Sequence, residues 1–226
     1  MTEVTEITFP KAIIFDWDST LVDTWPVITE ALNKVRAIHG LETWTIEEAR
    51  VKSARALRVS FPEWFGDWWE TARDIFYQHI DENHIKLLKE MPGAGQILAY
   101  LNSRKIPLFI VSTKKNTLLG EEIKAMEWQK YFIAAVGSLD TPKDKPDRMP
   151  VDLALCKGGL KADDPAIWFV GDSHTDIACA RNSGTTPVLI GDEATALKYN
   201  VKIYFKDCNT METALKGWNC YKSTLG

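Results

Sequence analysis

Runs of like charge are missing from this 226-residue chain: no more than two lysines or arginines are consecutive, and 27 basic against 31 acidic side chains leave a formal charge of only −4. A polyanion needs a concentrated basic footprint, so no nucleic-acid partner is expected. Long apolar runs are missing too. None approaches the roughly 20 residues that cross a bilayer, so no membrane partner is expected. The opening MTEVTEITFPK has neither the basic nor the apolar region of a secretion signal, which makes the cytoplasm the expected compartment. Cysteine is scarce: Cys156, Cys179, Cys208 and Cys220 stand far apart with no C-x-x-C pair. A zinc site has little support from that spacing. A chain long enough to bury its own core needs no disulfide framework, so reduced thiols are expected. Internal repeats and low-complexity tracts are also absent. What is present is ordinary for a globular protein, 45% apolar and 26% charged residues.

The apolar residues come in short, continuous runs. Ala12 to Phe15, Pro107 to Val111, Phe132 to Val136, Ile167 to Val170 and Pro187 to Ile190 have the length and uninterrupted hydrophobicity of strands covered on both faces. Val201 to Phe205 is weaker and reads as an edge strand. Helical patterns lie between them, at Gly95 to Arg104 and Leu118 to Trp128. Strands alternating with helices imply right-handed crossovers and a parallel α/β sheet.

One interval breaks the alternation. From Asp23 to about Met91, roughly 70 residues pass without a clear strand, far more than a βα connection needs. Val27, Ile28, Ala31, Leu32, Val35 and Ile38 form one helical stripe ending before Gly40. Thr45 and Glu48 have capping-box spacing and predict a second helix through Arg58. Trp68, Trp69, Ala72, Ile75, Phe76, His79 and Ile80 mark a third. The interval therefore reads as an all-helical insertion over residues 24–90, leaving residues 1–23 and 91–226 as the sheet-bearing core.

The apolar runs end in polar groups. AIIF meets Asp16, with Asp18 two residues on; LFIV meets Ser112; IWFVG meets Asp172, with Asp176 one helical turn further. Aspartate is a poor strand residue, and the edge where parallel strands end is where open α/β sheets bind ligands. Carboxylates gathered at one edge repel unless a cation neutralises them, and an all-oxygen set suits Mg²⁺. The segment TPKDKPDRMP supplies a basic group, Lys145 before Pro146 in preference to Lys143. Taken singly, each residue has a plainer explanation: an aspartate after a strand as a helix cap, Ser112 as a turn residue, Lys145 as a solvated charge.

Together, Asp16-Trp17-Asp18-Ser19-Thr20, Ser112 at a strand end, Lys145 in a Lys-Pro context and Gly171-Asp172-Ser173-His174-Thr175-Asp176 resemble, in order, the four motifs of the haloacid dehalogenase superfamily. The similarity is to its phosphoglycolate-phosphatase-like members, and it covers nearly the whole chain. It implies a Rossmann-like parallel-sheet core with an inserted all-helical cap, and an Mg²⁺-dependent phosphomonoesterase acting on a small phosphorylated metabolite. By that resemblance Asp16 is the nucleophile that forms an aspartyl-phosphate, and Asp18 protonates the leaving group and then activates water. The metal is held by the Asp16 carboxylate, the Asp18 backbone carbonyl and Asp172. Ser112, with Thr113, binds the phosphoryl group, and Lys145 neutralises its charge. Thr20, Ser173 and Asp176 support this shell, Thr20 by steadying Asp18 and Asp176 by supporting the metal or orienting Lys145. Thr113 replaces the Asn that many relatives carry, a departure that leaves the Ser112 hydroxyl in place. His174 lies inside the fourth motif but is not needed as a base, since Asp18 fills that role.

Phe61, Trp64, Phe65, Trp68 and Trp69 have two readings, packing of the small helical module or lining of a substrate pocket. Arg55 and Arg58 precede FPEWFG, where the resemblance implies a substrate-facing loop, and are candidates to grip a carboxylate or second anionic group. A dehalogenase is disfavoured by Asp18, because displacing halide needs no leaving-group acid. A sugar phosphomutase, which keeps both aspartates, stays open as an alternative. A receiver-like phosphoacceptor module is a further alternative, but it has no helical insertion and is about half this length.

Overall fold

The structure is a computed structural model that describes residues 8–53 and 57–223. In chain order its strands are β1 (Ala12–Phe15), β2 (Val22–Asp23), β3 (Lys89–Glu90), β4 (Leu108–Lys115), β5 (Ala134–Ser138), β6 (Ile167–Gly171), β7 (Thr186–Ile190) and β8 (Ile203–Phe205). Its helices are α1 (Trp25–Ile38), α2 (Ile46–Lys52), α3 (Leu57–Phe65), α4 (Trp69–Asn83), α5 (Ala94–Ser103), α6 (Asn116–Ala125), α7 (Met149–Lys157), α8 (His174–Asn182), α9 (Glu193–Tyr199) and α10 (Cys208–Ser223). The chain divides into two compact units, residues 1–22 with 90–226, and residues 23–89.

The first unit carries a six-stranded parallel sheet in the order β5-β4-β1-β6-β7-β8. Its central strand, β1, is fully buried, as the unbroken AIIF run requires of a strand covered on both faces. Ile14 stands opposite Phe109 on one neighbour and Phe169 on the other, so the ends of β1 and β6 fall at one level. Ile14, Phe109, Val111, Phe169, Ala154 and Leu155 pack into one core on a face of this sheet. The weak run after Val201 becomes β8, at the sheet edge.

β4 departs from expectation. It does not stop at Val111 but continues to Lys115, with a register irregularity against β5 after Val111. Ser112 therefore lies within a strand rather than at its end. A bulge changes the direction of the following side chains without ending the pairing, which hydropathy does not signal.

The second unit is helical. Thr45 and Glu48 form the expected reciprocal capping box at the start of α2. The helix stops at Lys52, however, instead of reaching Arg58. FPEWF, where the resemblance implies a substrate-facing loop, lies in α3 despite Pro62. Phe61 and Phe65 are one turn apart and both buried, and the Phe61 ring meets Phe76 of α4 at 5.6 Å. Burying that face outweighs the hydrogen bond that proline removes. The α1 stripe is shorter than the sequence suggested: Thr29 is buried, whereas Ile38 is 57% exposed. No helix among the described residues is long and apolar enough to cross a membrane.

Candidate active site

Asp16 is the first residue beyond β1, and its N–H still donates to the Val170 carbonyl on β6 at 2.8 Å. The chain then turns tightly. Leu21 and Val22 both donate to the Trp17 carbonyl, while Ser19, at φ +64°, donates to Val22. A left-handed serine is tolerated only where its surroundings fix it. The turn brings Thr20 back to the sheet edge, where its hydroxyl lies 3.5 Å from Asp16 Oδ2 and 3.5 Å from Asp172 Oδ1. That corrects the role expected for Thr20: its hydroxyl meets these two carboxylates and not that of Asp18.

Asp172 follows β6, adjacent to β1, so two carboxylates leave neighbouring strands side by side. Lys145 comes from the loop before α7 and is buried. Its Nζ reaches Asp16 Oδ1 at 2.5 Å and Asp176 Oδ1 at 2.6 Å. Lys143, the other basic candidate, is 65% exposed and pairs with Asp147. Asp176 also caps α8: its Oδ2 accepts from the Ser173 N–H at 3.0 Å and hydroxyl at 2.6 Å, while its own N–H donates back to Ser173. The plain cap and the site residue are thus one side chain. His174 packs its ring against Tyr199 at 5.5 Å.

A cavity of about 180 Å³ opens over this edge, lined by Asp16, Asp18, Thr113, Lys145, Asp172, Ser173 and Thr175. Ser112 is buried and is not among the lining residues; its hydroxyl accepts the Lys114 N–H at 3.1 Å. Arg55 lies outside the described residues, as does the side chain of Arg58. In the helical unit Trp44 and Trp64 meet edge to face at 5.2 Å, and Trp68 stacks on His39 at 5.1 Å. These contacts fit the packing reading of its aromatics.

Burial raises Asp16 well above the usual carboxylate range; Asp176 adds to the rise, the Lys145 ammonium opposes it, and Asp172 and Asp18 reinforce it. Asp172 is pushed up to about 7 by burial and by Asp176, again against Lys145. Burial alone would lower Lys145, but Asp16 and Asp176 outweigh it and keep the ammonium charged. Negative charge is therefore in excess at the edge, the condition a cation relieves.

Carboxylate oxygens of Asp16, Asp172 and Asp176 lie within 4.8 Å of one another, close enough to surround one ion. The Asp176 oxygens are already engaged by Lys145 and Ser173, which leaves Asp16 and Asp172 as the freer ligands. The donor set is all oxygen and fits a hard divalent cation.

Sequence reasoning missed Thr175 as a cavity residue, and it missed Lys114 and Glu122. Lys114 Nζ pairs with Asp18 Oδ1 at 2.7 Å and with both oxygens of Glu122. Burial opposes its charge, but Asp18 and Glu122 prevail and raise its pKa. One signal was available: Glu122 falls on the buried stripe of α6 between Leu119 and Ile123, an unexpected place for a charge.

A six-stranded parallel sheet with a lysine and several aspartates converging at one edge defines an α/β protein with an acidic site at the carboxyl ends of its strands. The chain belongs to the haloacid dehalogenase-like hydrolases, whose family profile matches residues 13–190. Among curated proteins it is similar to one provisionally named pyrophosphatase PpaX from Caldanaerobacter subterraneus, with 29% identity over 79% of this chain and 80% of the relative. It is likewise similar to a phosphoglycolate phosphatase from Chromobacterium violaceum, 29% identical over 80% of this chain and 85% of that one. A solved haloacid dehalogenase-like hydrolase from Streptococcus pneumoniae superposes with a TM-score of 0.75 at 25% identity, covering 86% of this chain and 93% of its own.

Proposed function

We propose that the protein is an Mg²⁺-dependent phosphomonoesterase acting on a small phosphorylated metabolite through an aspartyl-phosphate. The carrying observation is the Asp16 carboxylate, gripped by buried Lys145 in a cavity that Asp18 also lines. Relatives whose names include phosphoglycolate phosphatase and pyrophosphatase support phosphorus as the reacting atom. Residues 1–23 and 91–226 form the catalytic part in this reading, and the helical insertion over 24–90 is the part that selects substrate.

An Asp16 oxygen attacks phosphorus as the bond to the leaving oxygen breaks, and Asp18 donates a proton to that oxygen. Water then attacks the aspartyl-phosphate, Asp18 takes its proton, and cleavage of the phosphorus bond to Asp16 releases inorganic phosphate. Asp16, Asp172 and the Asp18 carbonyl would hold Mg²⁺, which supplies charge neutralisation for the phosphoryl oxygens. Lys145 fixes the Asp16 carboxylate and adds positive charge beside the incoming phosphate. Thr113 and Thr175 line the cavity, which supports them as donors to phosphoryl oxygens, with Ser112 supporting the Lys114 backbone from within β4.

The test is phosphate release over a panel of phosphoglycolate, pyrophosphate, sugar phosphates, nucleotides and phosphoamino acids. Release with Mg²⁺ but not with chelator is expected, and Asp16→Asn should lose at least about a thousandfold, as removal of a covalent nucleophile does. Full activity of Asp16→Asn, or no release from any compound with Mg²⁺, rejects the proposal. Recovery of an isomer in place of free phosphate identifies a phosphomutase instead.

A further inference from the structure

Glu122 is a fully buried carboxylate on a helix whose neighbouring stripe positions, Leu119 and Ile123, are apolar. A buried charge is costly unless its oxygens are satisfied. Here they are: Oε2 accepts the Trp17 indole N–H at 2.6 Å, and Lys114 Nζ lies 2.8 Å from Oε1 and 2.7 Å from Oε2. The Trp17 ring is itself buried and set edge to face against Trp128 at 5.8 Å. Lys114, with a side chain 12% exposed, directs its remaining contact to Asp18 Oδ1 at 2.7 Å. The ammonium thus makes two hydrogen bonds to Glu122 and an ion pair with the carboxylate that lines the cavity, so Lys114 links Glu122 to Asp18.

We propose that Lys114, anchored by Glu122 and Trp17, is a positioning residue that fixes the Asp18 carboxylate in the orientation from which it exchanges its proton with the leaving oxygen. The inference rests on the phosphatase reading above, in which Asp18 is the acid. A half-buried aspartate at the cavity wall could otherwise turn about its side-chain bonds. A lysine held on two oxygens of an immobile carboxylate removes that freedom before substrate arrives, which is what pre-organisation contributes to a proton transfer. Trp17 and Asp18 are adjacent in sequence, so Glu122 holds one short turn twice, directly through the Trp17 indole and through Lys114 to Asp18. If the cluster served packing alone, apolar groups in place of both Lys114 and Glu122 would do as well.

The leaving group separates these roles. Phenyl phosphate has a basic leaving oxygen that needs a proton, whereas 2,4-dinitrophenyl phosphate does not. The ratio kcat/KM reports the first bond cleavage. Lys114→Met should lower kcat/KM on phenyl phosphate about a hundredfold and on 2,4-dinitrophenyl phosphate less than about threefold, within the range general acid catalysis supplies. Glu122→Gln should show the same order with a smaller loss, and it decides the question with the same two esters if Lys114→Met does not fold by near-ultraviolet circular dichroism. Equal losses on both esters, or no loss on either, overturn the inference. Asp18→Asn is the control. If it shows the leaving-group dependence and the Lys114 and Glu122 variants do not, only this inference fails. If Asp18→Asn lacks it too, or the wild type cleaves neither ester, the acid role or the phosphatase reading has failed with it.

Discussion

Lys145 sits between two carboxylates, Asp16 and Asp176, in a place where neither charge could stand alone. Replacing it by methionine removes one partner and leaves two buried anions facing each other, the costly way to break a buried pair. With chelator at pH 8, Lys145→Met should lose about 3 kcal/mol in urea unfolding, and in a separate assay with Mg²⁺ its phosphate release should fall by at least about a hundredfold. A mutant as stable as wild type would mean that the anions are relieved some other way. The thiols answer to the same rule of burial. Burial pushes Cys179 and Cys208 up to about 12, and Cys156 is exposed. Iodoacetamide at pH 8 should label Cys156 in the native protein and reach Cys179 and Cys208 only in denaturant, as read by peptide mass spectrometry.

Elements place these side chains, and the junction of β6 with α8 does so at closest quarters. A Cβ on Gly171 would run into the Asp176 Cβ and Cγ, so the strand can pass that carboxylate only without a side chain. Gly171→Ala should therefore displace Asp176 and, through it, Lys145. Expected are a loss of about 1 to 3 kcal/mol in thermal unfolding and a fall of more than about tenfold in phosphate release. Unchanged activity would show that the site does not depend on this approach. Much at this scale was legible beforehand. The capping box at Thr45 and the buried run of β1 are local features, written in residues that stand next to one another. The extension of β4 to Lys115 and the helix over FPEWF were not, because pairing with β5 and burial of Phe61 against Phe76 are decided by distant partners.

Across the first unit as a whole, charge balance governs the response to pH and metal. Burial and Asp176 raise Asp172 from an ordinary 3.8 to about 7, and Asp16 shifts the same way. A raised acid favours its protonated form in the fold. Its contribution to stability is complete below 3.8 and is lost as the pH rises through about 7. Metal-free protein should therefore lose thermal stability across that window. Mg²⁺ competes with protons for the same oxygens, so the rise in Tm on adding Mg²⁺ should be larger at pH 8 than at pH 5. Equal shifts at both values would separate the cation from this carboxylate cluster.

The sequence by itself determined the alternation of buried runs and helices, the helical insertion, and the aspartates that follow β1 and β6, because these depend on periodicity and on which residue follows which. It thereby marked Asp16, Asp18, Lys145 and Asp172 as candidate site residues. Tertiary structure decided how they are used. Only the parallel pairing of β1 with β6 sets Asp16 beside Asp172, and only the fold carries Lys145 across 129 positions to meet Asp16. The same holds for Glu122, which lies 105 residues from Trp17 and yet holds the turn between the two aspartates. Contacts over such separations arise from the packing of whole elements, and no local pattern in the chain encodes them.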